Sequence, residues 1–210
     1  MVDRADDEDL QKLKDWWRDN GPAVVTGLAL AAATVAGWWG YTTWQERGAQ
    51  QAAMAYTELM RAEQQDAGLE AVVAAGREVM EEHAGSGYAA MAALRTARVQ
   101  MEAEAFREAA QTLGWLVENA DERAMRELAR LRQARALGEV APEEALALLE
   151  AEASEGFAGA YAELRGDLLR ELDRPEEAVA AYREALEAPV LRAQSRELVE
   201  LKLQAAESEA

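Results

Sequence analysis

Hydrophobic and polar positions along the chain form two unlike regions. From Asn20 to Gln45 the residues read NGPAVVTGLALAAATVAGWWGYTTWQ, with no Asp, Glu, Lys or Arg. Beyond that stretch apolar residues recur every three or four positions between charged ones. The first pattern predicts a helix that is apolar all round, the second a series of amphipathic helices with one buried stripe each. A helix rises about 1.5 Å per residue, so roughly 20 apolar residues cross a bilayer core of about 30 Å. Pro22 to Trp44 meets that length. A buried helix of a soluble core is usually shorter. A cleaved signal peptide has an apolar region of about 7–15 residues ending at small side chains, whereas this run ends in bulky aromatics. An uncleaved signal anchor is the expectation.

The flanks agree with a spanning helix. Trp16 and Trp17 precede it, and Trp38, Trp39, Tyr41 and Trp44 stand at its far end, where rings with an apolar body and a polar edge settle at headgroup level. Pro22 suits a first helical turn, where no backbone N–H is needed. Gly27, Ala29, Ala31, Ala33, Ala36 and Gly37 either let a second membrane helix approach or simply face lipid. Between Glu8 and Asp19, Leu10, Leu13, Trp16 and Trp17 share a face. That segment either lies in the membrane interface or extends the spanning helix. Arg4, Lys12, Lys14 and Arg18 precede the span, and only Arg47 follows before Arg61, so the N-terminus is expected in the cytoplasm and the large C-terminal part outside it. The expected division is a cytoplasmic acidic tail and amphipathic segment over 1–20, a transmembrane anchor over 21–44 and an exported helical domain over 45–210.

Within the exported part a period is visible. Glu-Ala-Ala or Glu-Glu-Ala motifs place alanines at Ala109, Ala145 and Ala178, close to the roughly 34-residue spacing of a tetratricopeptide unit. The third unit is the clearest. Gly166 is the small residue that lets two helices approach, Ala178 answers it on the second helix, and Tyr182 and Ala185 follow on the same face. Asp173-Arg174-Pro175 makes the turn and Pro189 ends the unit. In the first unit Ala97 takes the place of Gly166, and Leu113 and Leu116 follow Ala109. In the second, Gln133 stands there, which predicts looser packing, and Gly138 and Pro142 bracket the turn. Leu69–Glu82 forms an earlier helix broken by Gly85-Ser86-Gly87, and a last helix from about Leu191 to Ala206 caps the stack. The fold class is all-α: one N-terminal transmembrane helix, then a tetratricopeptide-like solenoid of helical hairpins. An unrelated helical bundle is the alternative.

Charge narrows the partners. A formal net charge of −18 repels a phosphate backbone, so nucleic acid is not expected. There is no cysteine, which removes thiol chemistry and cysteine–metal sites. The one histidine, His83, follows Glu81 and Glu82, and adjacent residues do not share a helix face, so they make a poor ligand set. No cofactor and no catalytic residue is expected.

The order of features resembles the YfgM family, the ancillary subunit of the bacterial SecYEG translocon. The resemblance rests on an acidic tail, the entry Lys14-Asp15-Trp16-Trp17-Arg18-Asp19-Asn20-Gly21, a single membrane helix, the junction Ala53 to Tyr56, the stretch Gly156-Phe157-Ala158 through Leu164-Arg165-Gly166-Asp167-Leu168-Leu169, and Val199-Glu200-Leu201-Lys202-Leu203. It implies a single-pass protein of the bacterial inner membrane with a periplasmic tetratricopeptide domain. It also implies partners: the SecYEG translocon, a PpiD-like membrane-anchored periplasmic chaperone, and exported polypeptides, beside the lipid bilayer itself. The expected role is a non-enzymatic translocon accessory, with a generic membrane-tethered envelope scaffold as the alternative. By repeat geometry, Arg98, Arg130, Asp167 and Arg170 on the first helices are candidate protein-binding residues, or else solvated charges. The charge asymmetry across the span predicts that alkaline phosphatase fused to the C-terminus is active and that a fluorescent protein fused there is dark. The reverse pair of signals would invert the topology.

Overall fold

The computed structural model describes residues 3–190 and 193–210, without the side chains of 3–9, 44–46 and 193–194. The Trp44 side chain and Leu191 therefore lie outside what is described. Among the described residues there are nine α-helices and no strand: α1 (Asp3–Gln64), α2 (Leu69–Glu82), α3 (Gly87–Glu102), α4 (Phe106–Asn119), α5 (Arg123–Gly138), α6 (Pro142–Leu148), α7 (Glu155–Glu171), α8 (Pro175–Glu187) and α9 (Ala193–Glu209). The chain divides into two compact units, Met1–Gln50 and Gln51–Ala210.

In the first unit, one helix is long and apolar enough to cross a membrane. Leu28, Leu30, Val35, Trp38 and Trp39 are exposed along it, uncovered by the other described residues. Hydroxyls that would be costly in lipid bond back to their own helix: Thr26 Oγ1 donates to the Pro22 carbonyl at 2.8 Å and Thr34 Oγ1 to that of Leu30 at 2.9 Å. Pro22 stands inside α1 rather than in a first turn, because residues 8–19 continue the same helix. One turn before it, the Asn20 amide adds a bond to the Trp16 carbonyl at 3.0 Å, and Gly21 is covered by the Trp17 indole.

The second unit stacks hairpins. The end of α1 pairs with α2 through Leu59, Val72, Val79 and Met80. Then α3 pairs with α4, α5 with the short α6, and α7 with α8, and α9 covers α8. Contacts run between consecutive helices and between adjacent hairpins, as where α5 meets α7, in the manner of a solenoid. The core is rich in alanine: Ala97, Ala109, Ala145, Ala178 and Ala185 are all buried, as are Gly166 and Tyr182. Small side chains let helix axes close to the short end of the usual 8–10 Å range.

Three hairpins turn in the same way. Asp66, Glu104 and Asp173 adopt φ of 52°, 58° and 58°. The following amides, of Ala67, Ala105 and Arg174, reach five residues back to the carbonyls of Ala62, Gln100 and Leu169 at 3.0, 2.8 and 2.9 Å. This is the Schellman closure, made here without glycine in the left-handed position. The exception is the α5–α6 hairpin, where Glu139 stays right-handed and Pro142 opens α6. Gln133 turns its amide toward Gly114 of α4, in the preceding hairpin. A Cβ on Gly114 would lie 2.8 Å from Gln133 Nε2.

The Gly166–Tyr182 contact is a stringent test of this packing. A Cβ at residue 166 would lie 2.5, 2.7 and 2.9 Å from three ring atoms of Tyr182, and that ring is fully buried. Gly166→Ala is therefore expected to cost about 1–3 kcal/mol through overpacking, read as a lowered midpoint in denaturant unfolding of the full chain. An unchanged midpoint would show that the hairpin can open at no cost.

Candidate protein-binding groove

The first helices of two successive hairpins, α3 and α5, leave a groove between them with a cavity volume of about 440 Å³. Its apolar lining is Leu94, Ala97 and Met101 of α3 with Leu113 of α4, all buried or half-buried. Four arginines complete it: Arg95 and Arg98 from α3, Arg132 and Arg135 from α5.

The neutralisation of these arginines is unequal. Arg95 Nε reaches Glu63 Oε2 at 2.8 Å, and Arg98 pairs with the same carboxylate and with Glu102 at 2.5 Å. Arg132 and Arg135 are exposed and make no ion pair among the described residues. The other α5 arginines lie against groups of the domain itself: Arg123 Nε bonds Glu127 at 2.9 Å, Arg126 bonds the carbonyls of Ala120 and Asp121 at 2.8 Å each, and Arg130 lies near the Tyr161 hydroxyl. α5 thus carries five arginines against one glutamate in a chain of net charge −18. Of the five, Arg132 and Arg135 line the groove.

Glu127 is the anchor behind this helix. It is buried and accepts from the Ser154 amide at 2.9 Å, from Ser154 Oγ at 2.5 Å and from Arg123. Tyr161 donates to its backbone carbonyl at 3.0 Å. Burial pushes the Glu127 carboxyl up, but the bonds from Ser154 and Arg123 outweigh it and hold the group below the usual carboxylate range. α5 is thereby tied to the segment that opens α7.

The four residues singled out from the sequence separate in space. Arg98 lines the groove. Arg130 faces Tyr161. Asp167 accepts from the Tyr182 hydroxyl at 2.9 Å and from Lys202 Nζ at 2.7 Å, and Arg170 Nη2 meets Glu209 at 2.8 Å. Asp167 and Arg170 are therefore engaged by α9. Burial lowers the Lys202 ammonium, while Asp167 and Glu163 together carry it above its ordinary value. Arg95, Arg132 and Arg135 were not singled out, although the arginine run of α5 was there to be read. Around His83, a hollow of about 610 Å³ is lined by Glu58, Arg61, Glu78 and Glu82. Arg61 is already held by Glu58 at 2.5 Å, and the described residues contain no group of three ligands fit for a metal.

These features define a membrane-anchored helical-repeat protein with an open, arginine-lined groove. A family model described as a tetratricopeptide repeat-like domain matches residues 14–208, and the chain belongs to that family. Two relatives bear the name ancillary SecYEG translocon subunit. The one from Neisseria gonorrhoeae is 28% identical over 204 residues, covering 93% of this chain and 94% of its own. The one from Haemophilus influenzae is 26% identical over 166 residues, covering 78% and 79%. The resemblance to YfgM stands with them. No solved structure matches the chain.

The depressed Glu127 carboxyl gives a pH prediction. Its folded value lies below its unfolded one, so its contribution is complete above the ordinary glutamate value of about 4.3 and is lost as pH falls through the folded value. Glu127→Gln is expected to cost about 1–3 kcal/mol at neutral pH. The loss should shrink in acid, so stability-against-pH curves of the two proteins should draw together as pH falls below the ordinary glutamate value. A constant gap would assign the loss to packing alone.

Proposed function

We propose that this protein is a non-enzymatic accessory subunit of the SecYEG translocon. A single apolar helix anchors it in the bacterial inner membrane, with residues 1–20 cytoplasmic and the repeat domain periplasmic. The domain docks a periplasmic chaperone of the PpiD-like, membrane-anchored kind, or the exported chain itself. The observation that carries this reading is the match to two translocon subunits along most of the chain, anchor and repeats together.

The physical features support it. The spanning helix leaves its most apolar 18-residue window uncovered, which suits a helix that needs lipid or another membrane helix as its partner. The repeat domain offers a groove rather than a closed pocket with convergent acids and bases, and stacked hairpins commonly use such concave surfaces for binding. An envelope scaffold would need the same repeats but only tethering from the helix.

Photo-crosslinking in native membranes tests the reading. Probes at positions 27, 33 and 37 are expected to capture the channel, and probes beside Arg98 a chaperone or an exported chain. Exchanging the helix for an unrelated anchor should abolish the channel products. Channel products that survive the exchange, or efficient probes that capture only other envelope proteins, would favour the scaffold.

A further inference from the structure

We propose that the α3–α5 groove is the site that receives the partner, and that what it receives is an acidic peptide segment carrying an apolar side chain. The inference deepens the docking role above and rests on it for the partner being a protein. Charge complementarity carries it. Four arginines line the groove, and the only carboxylates that pair with them among the described residues are Glu63 and Glu102. Two positive charges remain, on Arg132 and Arg135, in a chain whose acids outnumber its Lys and Arg by 40 to 22.

The chemistry follows from the lining. The half-buried Leu94 and Met101 offer an apolar patch for a Leu, Met or Phe side chain. The exposed guanidinium forks of Arg132 and Arg135 each match a carboxylate bidentately. Glu63 serves a second purpose. Together with Glu102 it offsets Arg95 and Arg98 and keeps the α3 wall near neutral, so the free charge is concentrated on α5 and the ligand's carboxylates are drawn to that side. A basic or neutral peptide can fill the apolar patch but makes no ion pair with Arg132 or Arg135, so the groove discriminates by charge sign.

The test uses the full chain in nanodiscs and two labelled peptides of equal length, one alternating Asp or Glu with Leu, the other alternating Lys with Leu. Fluorescence anisotropy is expected to show at least about ten-fold tighter binding of the acidic peptide, weakening as salt is raised. Arg132→Glu with Arg135→Glu should reverse or abolish the preference. Arg183→Glu, which breaks a pair with Glu207 at 2.6 Å outside the groove, should leave it intact. Circular dichroism checks that the variants fold. Equal binding of both peptides, or an unchanged preference in the double variant, overturns the proposal. So does capture of phosphatidylglycerol vesicles through Arg132 and Arg135 without peptide binding, which would give the groove to a membrane surface. Translocon co-purification, scored on the same preparations, separates the two readings. Co-purification without acidic-peptide binding removes the groove assignment alone. Peptide binding without co-purification removes the translocon role and leaves the groove.

Discussion

Close approach of helices through small side chains is the constraint on which the domain depends. Gly166 admits the ring of Tyr182, Gly114 admits the Gln133 amide, and buried alanines fill most other crossings. An alanine buries little apolar area, so no single crossing is strong at about 25 cal/mol per Å². Stability must come from many neighbouring interfaces acting together. Tyr182 is the counterweight: a large, fully buried side chain whose hydroxyl is satisfied by Asp167. Burial, and after it the adjacent Asp167 carboxylate, push the Tyr182 phenol well above its ordinary value, so it stays a neutral donor at any physiological pH.

The ends of the stack are finished by charge rather than by more core. On α9, Lys202 lies between Glu163 and Asp167 at 2.8 and 2.7 Å, and Glu207 and Glu209 reach back to Arg183 and Arg170. Those pairs are partly exposed and individually worth little, but they set the register of a helix whose apolar contacts are confined to a few residues such as Val199, Leu203 and Ala206. They also consume Asp167 and Arg170, which leaves the acid-accepting surface of the domain at the α3–α5 groove.

Charge in this chain is thus sorted by location. Acids dominate the total, yet α5 is basic, and its arginines divide between holding backbone carbonyls, holding Glu127 and facing the groove.

The anchor was determined by the sequence alone, because an uncharged apolar run of that length has one stable environment. The hairpin period was legible for a similar reason: Ala109, Ala145 and Ala178 mark it, and Pro175 shows where the last hairpin turns. The left-handed turns at Asp66 and Glu104 were not legible, since neither is the glycine that would signal such a φ. The fate of the arginines was decided only by tertiary structure. Arg98, Arg130 and Arg170 look alike on helices of the same kind, but the carboxylates that neutralise Arg98 and Arg170, and the hydroxyl that meets Arg130, come mainly from distant stretches: Glu63, Glu209 and Tyr161. Which cation remains free depends on which acids the fold brings to it, and periodicity along one chain carries no record of that.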